Sequence, residues 1–156
     1  MNFSDPEFWE KRIKESSKWE DAIQGGVDWE EVNKYHKEIL KQVSGKVLDV
    51  GCGYGRIIDL LPKDIDYTGI DISPDFIAEA RKRYPNHKFI LGDIRKIDFE
   101  DKFDWAIVIS MGGYPQEKVS EFYWELEREL TKIAKKILVL WLSKPREYKI
   151  ITYGTI

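Results

Sequence analysis

The chain has 156 residues, 42% of them apolar and 34% charged, with a formal net charge of −3. That length suits one domain around one core, and the balance shows no basic excess of the kind nucleic-acid binders carry. No run approaches the ~18 apolar residues of a membrane span, the start Met1-Asn2-Phe3-Ser4-Asp5-Pro6 lacks the basic stretch and apolar run of a secretory leader, and a single cysteine, Cys52, excludes an internal disulfide or a multi-cysteine metal site. A cytoplasmic location is therefore the expectation.

Two helices are expected at the start. Ser4 and Glu7 form a capping box around Pro6. Phe8, Trp9, Ile13 and Ile23 suit one apolar face, and Gly25-Gly26 stops that helix. Asp28 with Glu31 predicts a second cap, followed by Val32, Tyr35, Ile39 and Val43 at helical spacing and a stop at Ser44-Gly45. Strands then alternate with helices. Strands are predicted at 46–50, 66–72, 87–91, 103–109 and 137–142, with a sixth at 148–153. Between them come a brief helix over 57–61 stopped by Pro62, a helix from Ser73-Pro74 to Tyr84, and a long helix from Pro115. The long helix carries Val119, Phe122, Leu126, Leu130 and Ile133 inward. The chain divides into a helical preface (1–44), a core (45–142) and a short terminal strand (143–156), all within one domain, 1–156.

Such alternation predicts an α/β fold: a doubly wound, mostly parallel sheet with helices on both faces and right-handed crossovers. Ligands of such sheets bind beyond the carboxyl ends of the strands, where the strand order reverses. The loops at that rim hold Gly51 to Gly55, Asp71, Gly92-Asp93 and Ser110 to Tyr114.

Three glycines in Gly51-Cys52-Gly53-Tyr54-Gly55 let the backbone turn sharply and admit a ligand with no Cβ in the way. A phosphate loop would continue with Gly-Lys-Ser/Thr, but Gly55 is followed by Arg56-Ile57. A dinucleotide fingerprint needs glycine where Arg56 stands. Asp49, two residues before the first glycine, is badly placed beside a pyrophosphate and suits a cationic ligand.

The stretch Val47-Leu48-Asp49-Val50-Gly51-Cys52-Gly53-Tyr54-Gly55 resembles the first motif of the class I S-adenosylmethionine-dependent methyltransferases. Gly69-Ile70-Asp71-Ile72-Ser73, Gly92-Asp93-Ile94 and Phe103-Asp104-Trp105-Ala106-Ile107-Val108 resemble the later motifs in order, so the match runs over roughly 45 to 142. The resemblance implies a Rossmann-like fold and S-adenosylmethionine as cofactor, leaving S-adenosylhomocysteine as product. It implies that Gly51, Cys52, Gly53 and Gly55 line the methionine and ribose portions, with Asp49 near the amino group. It implies that Asp71, followed by Ile72, bonds the ribose hydroxyls. Asp93 would contact the adenine amino group, with a turn residue after Gly92 as the rival role, and Ile94 would pack on the ring.

In the same resemblance the loop Ser110-Met111-Gly112-Gly113-Tyr114-Pro115 faces the sulfonium and the acceptor. It lacks the Asn/Asp-Pro-Pro-Tyr/Phe of adenine and glutamine amide methylation, the Pro-Cys nucleophile of cytosine carbon-5 enzymes, and metal-binding carboxylates. Tyr114 and His36 are the candidate general bases, although a surface place on its amphipathic helix is the expected one for His36. Trp29, Tyr35 and His36 lie where a family lid would shape the acceptor pocket; core packing is the competing role of the two aromatics. The family's antiparallel terminal strand pair is reduced, which leaves a sheet edge for a homodimer.

The expected activity is in-line methyl transfer to a small-molecule or protein acceptor, with no nucleic acid, membrane or metal involved. A catalytically silent cofactor-binding subunit and a nicotinamide-dependent oxidoreductase are the alternatives.

Overall fold

In the computed structural model, residues 5–109, 116–142 and 144–152 are described. Three helices, α1 (Pro6–Glu15), α2 (Trp19–Ile23) and α3 (Trp29–Leu40), precede the strands β1 (Lys46–Val50), β2 (Asp66–Asp71), β3 (Lys88–Leu91), β4 (Phe103–Ile109), β5 (Ala134–Leu140) and β6 (Tyr148–Thr152). Helix α4 (Pro74–Arg83) joins β2 to β3, and α5 (Gln116–Thr131) joins β4 to β5. The sheet order is β3-β2-β1-β4-β5-β6. All pairs are parallel except β5 with β6, where Leu140 faces Tyr148. The order reverses between β1 and β4, so a ligand crevice is expected above their carboxyl ends.

Alternating side chains divide the core. Val47, Ile107, Leu138 and Leu140 pack with Leu40 of α3 and with Ile77 and Ala80 of α4. Leu48, Val50, Ile70, Ala106 and Val108 pack on the opposite face with Leu126 and Leu130 of α5. Helices therefore cover both faces, and each wholly buried aliphatic side chain contributes about 1.5–3 kcal/mol.

Several expected elements move. The first predicted helix is two. Asp5, not Ser4, caps α1, accepting the Glu7 amide at 3.0 Å; Ser4 lies outside the described residues. The helix breaks at Ser16-Ser17, a residue type that favours helix ends over interiors. Arg12 then folds back, donating from Nε to the Ala22 carbonyl at 2.7 Å and from Nη2 to that of Asp21 at 3.2 Å, which satisfies carbonyls at the end of α2. Trp9, Ile13, Trp19 and Ile23 pack round Ala22, Tyr54 and Phe76, so the pair docks on the glycine loop and α4. The Asp28 cap forms as predicted, accepting the Glu31 amide at 3.1 Å, but α3 ends at Leu40 rather than near Ser44. The helix expected over 57–61 is a single 3-10 turn, Ile58–Leu60.

Strand β5 starts three residues before Ile137. Exposed Lys135 and Lys136 hid it from an apolar-run reading. Lys135 pairs with Asp104 at 2.7 Å, and the Lys136 ammonium lies 4.9 Å from the Trp105 ring centroid. Tyr153, at the predicted end of the sixth strand, is outside the described residues.

Candidate cofactor-binding site

The rim above β1 and β2 is built mainly from backbone. Gly51, Gly53 and Gly55 hold φ of 71°, 54° and 87°, the left-handed region that glycine enters freely. The amides of Gly51 and Cys52 both donate to the Ile70 carbonyl, at 2.8 and 3.0 Å, which draws the loop across the end of β2. The Gly53 amide donates to Asp71 Oδ2 at 2.8 Å and the Ser73 amide to Asp71 Oδ1 at 2.9 Å. Burial raises the Asp71 pKa, while these amides pull it back. Each carboxylate oxygen has a second lone pair for a ligand hydroxyl. Above Gly53 the neighbour is Ile23 of α2, whose Cδ1 lies 3.7 Å from where a Cβ would sit.

Asp49 is 3% exposed and accepts the Tyr67 hydroxyl at 2.7 Å. Its pKa is pushed up to about 7, chiefly by burial, against the pull of Tyr67 and of the Arg56 charge. Gly69, opposite Asp49 on β2, makes this possible: a Cβ there would lie 2.9 Å from the Tyr67 hydroxyl and 2.8 Å from Cys52 Sγ. Cys52, predicted to line the cofactor, turns its thiol into the core. There it is a packing residue, and burial raises its pKa. Its backbone alone is left to face the rim.

At β3 the carboxylate is used differently. Asp93 caps the 3-10 turn Ile94–Lys96, taking the Arg95 amide at 3.0 Å. It also takes Arg95 Nε on Oδ1 at 3.0 Å and Nη2 on Oδ2 at 2.8 Å. This arginine holds Asp93 below the usual carboxylate range. The turn-residue role is thus present, and one lone pair on Oδ2 is left for an adenine amino group. Ile94 is 8% exposed and packs in the core with Val108 and Leu126, while Ile72 is half-buried at the rim.

His36 corrects an expectation. It is not at the surface: it is 0% exposed. Its Nδ1 lies 3.2 Å from Arg56 Nη2 and its Nε2 3.3 Å from the Trp141 carbonyl. Arginine only donates, so Nδ1 accepts and the proton sits on Nε2. Burial and the Arg56 charge push its pKa down to about 4. With both nitrogens engaged, His36 ties α3 to Arg56 after the glycine loop and to Trp141 just past β5. Arg56 also donates from Nη1 to Asn33 Oδ1 at 2.6 Å and lies over the Trp29 ring at 5.3 Å. Trp29 and Tyr35 are half-buried, and Arg146 covers the Tyr35 ring at 4.6 Å. Sequence reasoning used Arg56 only to reject other nucleotide loops and missed Asn33 and Tyr67. An arginine directly after the glycines was the available signal. Ser110 and Tyr114 lie outside the described residues.

A family profile described as a methyltransferase domain matches residues 47–132. The chain belongs to the class I S-adenosylmethionine-dependent methyltransferases. A demethylmenaquinone methyltransferase of Chlorobaculum tepidum is 33% identical over 100 residues, covering 60% of this chain and 41% of that relative. The chain thus spans about two-fifths of the length of that relative. The PH0226 protein of Pyrococcus horikoshii is 30% identical with a TM-score of 0.58, over 76% of this chain and 60% of that one. An S-adenosylmethionine-dependent methyltransferase of Clostridium acetobutylicum shares the fold, with a TM-score of 0.62 and 18% identity over 84% and 56% of the two chains.

The residues of this chain fit the family cofactor. Asp71 has acceptor capacity for a ribose diol, Gly53 has only Ile23 within 4 Å of where a Cβ would sit, and Asp49 supplies a buried carboxylate near the loop. No helix among the described residues is long and apolar enough to cross a membrane.

Proposed function

We propose that this chain binds S-adenosylmethionine and directs its methyl group to a small-molecule acceptor by in-line displacement. The observation that carries the reading is Asp71, held by the Gly53 and Ser73 amides at the end of β2 beside the glycine loop. Bound S-adenosylmethionine supplies an electrophilic methyl on a sulfonium. The protein binds, orients and keeps water away. Asp71 accepts the ribose hydroxyls, and Asp49 in its ionised form attracts the ammonium. Asp93 meets the adenine amino group through its remaining lone pair. The helices α1 and α2 shield the loop, as Ile23 above Gly53 illustrates. Orientation of this kind is worth about 7–11 kcal/mol of a displacement barrier, and a general base is needed only for an acceptor that holds its proton tightly.

The Chlorobaculum relative is named for demethylmenaquinone, which supports a small acceptor over a protein one. The reading also includes a homodimer through β6, the last strand of the sheet among the described residues, which shows Tyr148 and Ile150 at 48% and 37% exposure; light scattering on a size-exclusion column giving only monomer at high concentration removes it. The activity is tested by incubating the chain with methyl-labelled S-adenosylmethionine and a panel of small phenols, quinols, amines and carboxylic acids. Label transferred to one class supports an enzyme. Tight cofactor binding with no transfer to any of them supports a silent binding subunit instead.

A further inference from the structure

Arg56 is more than a tether for α3. It is partly buried, and among the described residues no carboxylate lies within ion-pair distance of it. Its hydrogen-bond partners, Asn33 and His36, are both neutral. They use two of its five N–H donors, and three remain. A guanidinium taken from water without a counter-ion is costly unless an anion meets it. Its neighbour has a matching deficit. Trp29, under the guanidinium at 5.3 Å, has its Nε1 buried with no hydrogen-bond partner. Buried donors of this kind normally find an acceptor. Trp29 thus lacks an acceptor, and beside it Arg56 has donors to spare and a charge that only the more distant Asp49 carboxylate balances through space. They stand where α3 meets the loop that the cofactor reading assigns to the methionine portion.

We propose that Arg56 and Trp29 form a carboxylate-binding subsite at the junction of α3 and the glycine loop. A carboxylate is planar and bidentate, which matches the guanidinium fork, and an oxygen is the acceptor that the neighbouring indole N–H lacks. His36 and Asn33 hold the fork in place through one Nη2 and one Nη1 hydrogen bond. Two carboxylates meet this description: the amino-acid carboxylate of the bound cofactor and a carboxylate on the acceptor. The first source rests on the cofactor reading above. The second stands without it.

Titration calorimetry separates these sources. Three proteins are compared: wild type, Arg56→Lys, which keeps the charge and loses the fork, and Trp29→Phe, which keeps the ring and loses the N–H. Each is titrated with S-adenosylhomocysteine, with 5′-methylthioadenosine, which lacks the amino-acid part, and with citrate in the presence and absence of S-adenosylhomocysteine. Loss of one charge-assisted hydrogen bond corresponds to about a tenfold or greater weakening. Both variants are expected to weaken one carboxylate ligand by that factor and to leave 5′-methylthioadenosine within about twofold. Weakening confined to S-adenosylhomocysteine assigns the subsite to the cofactor, and weakening confined to citrate assigns it to the acceptor. Equal weakening of 5′-methylthioadenosine makes the pair structural and overturns the proposal. So do unchanged affinities in both variants, or a wild type that binds neither carboxylate. A wild type that binds citrate but no adenosyl compound overturns the cofactor reading and leaves the subsite standing.

Discussion

Asp71 ends β2 and Asp93 lies two residues past the end of the neighbouring parallel strand β3, yet the chain treats the two carboxylates in opposite ways. Asp71 is held by two backbone amides, with no cation among its hydrogen-bond partners. Asp93 is clasped by Arg95, which neutralises its charge and occupies most of its lone pairs. Backbone amides orient a carboxylate without consuming its charge, so Asp71 is prepared for a ligand. An arginine does the reverse, so Asp93 chiefly organises its own turn. The same residue type near two adjacent strand ends is therefore expected to carry unequal weight in binding, according to its partners.

The sharpest way to break this contrast is Asp71→Ala. It removes two acceptors for the ligand and the anchor of the Gly53 amide. At about 1.5–3 kcal/mol for each hydrogen bond to a charged group, S-adenosylhomocysteine affinity is expected to fall by about a hundredfold or more in calorimetry. A loss smaller than about fivefold would place the diol elsewhere.

Next in size is Gly69→Ala. The new Cβ would press on Cys52 Sγ and the Tyr67 hydroxyl at 2.8 and 2.9 Å. Overpacking of this kind costs about 1–3 kcal/mol, which lowers Tm by roughly 2–12 °C in a domain of this size. An unchanged Tm would mean that the β1–β2 end has room to spare.

The pH dependence of binding tests Asp49. Burial raises its folded pKa to about 7 from an unfolded 3.8. The native state then keeps a proton that the unfolded chain releases, so this group's contribution to stability falls as pH rises from about 4 to 7. A cationic ligand favours the ionised form. S-adenosylhomocysteine affinity is therefore expected to rise through the same window, by up to about tenfold per pH unit below 7, and Asp49→Asn should flatten it. A rise that survives in Asp49→Asn would point to another group.

The smallest effect is expected from Arg95→Ala. It frees Asp93 from an ion pair whose side chains are 29% and 17% exposed. Pairs near the surface are worth about 0–1 kcal/mol, so affinity should change by less than about fivefold, in either direction. A large loss would give Arg95 itself a contact with the ligand.

What was legible in the sequence follows the range of the interactions involved. The strands β1 and β4 and the cap of α3 are local patterns, and they fall where alternation and capping chemistry place them. Asp71 stands out because a motif of a few residues defines it. The polar cluster of Arg56, Asn33 and His36 does not, because Arg56 stands 20 or more positions from the other two and meets them only when α3 lies across the sheet. His36 on an amphipathic helix looks like a surface residue until its bond to the Trp141 carbonyl, 105 positions away, is formed. The Tyr67–Asp49 bond likewise depends on strand register. The break between α1 and α2 was missed because apolar spacing continues across Ser16-Ser17, and the turn that divides them is fixed by Arg12 reaching back to α2.

The central claim is that this rim holds S-adenosylmethionine. Thermal unfolding in the presence of S-adenosylmethionine, S-adenosylhomocysteine, NAD and ATP tests it most directly. A ligand at about 100 times its Kd adds ~2.7 kcal/mol to the native state, which should raise Tm by roughly 5–11 °C. The account predicts that rise with the two adenosyl compounds and none with NAD or ATP. A rise with NAD alone, or with no ligand at all, would contradict it.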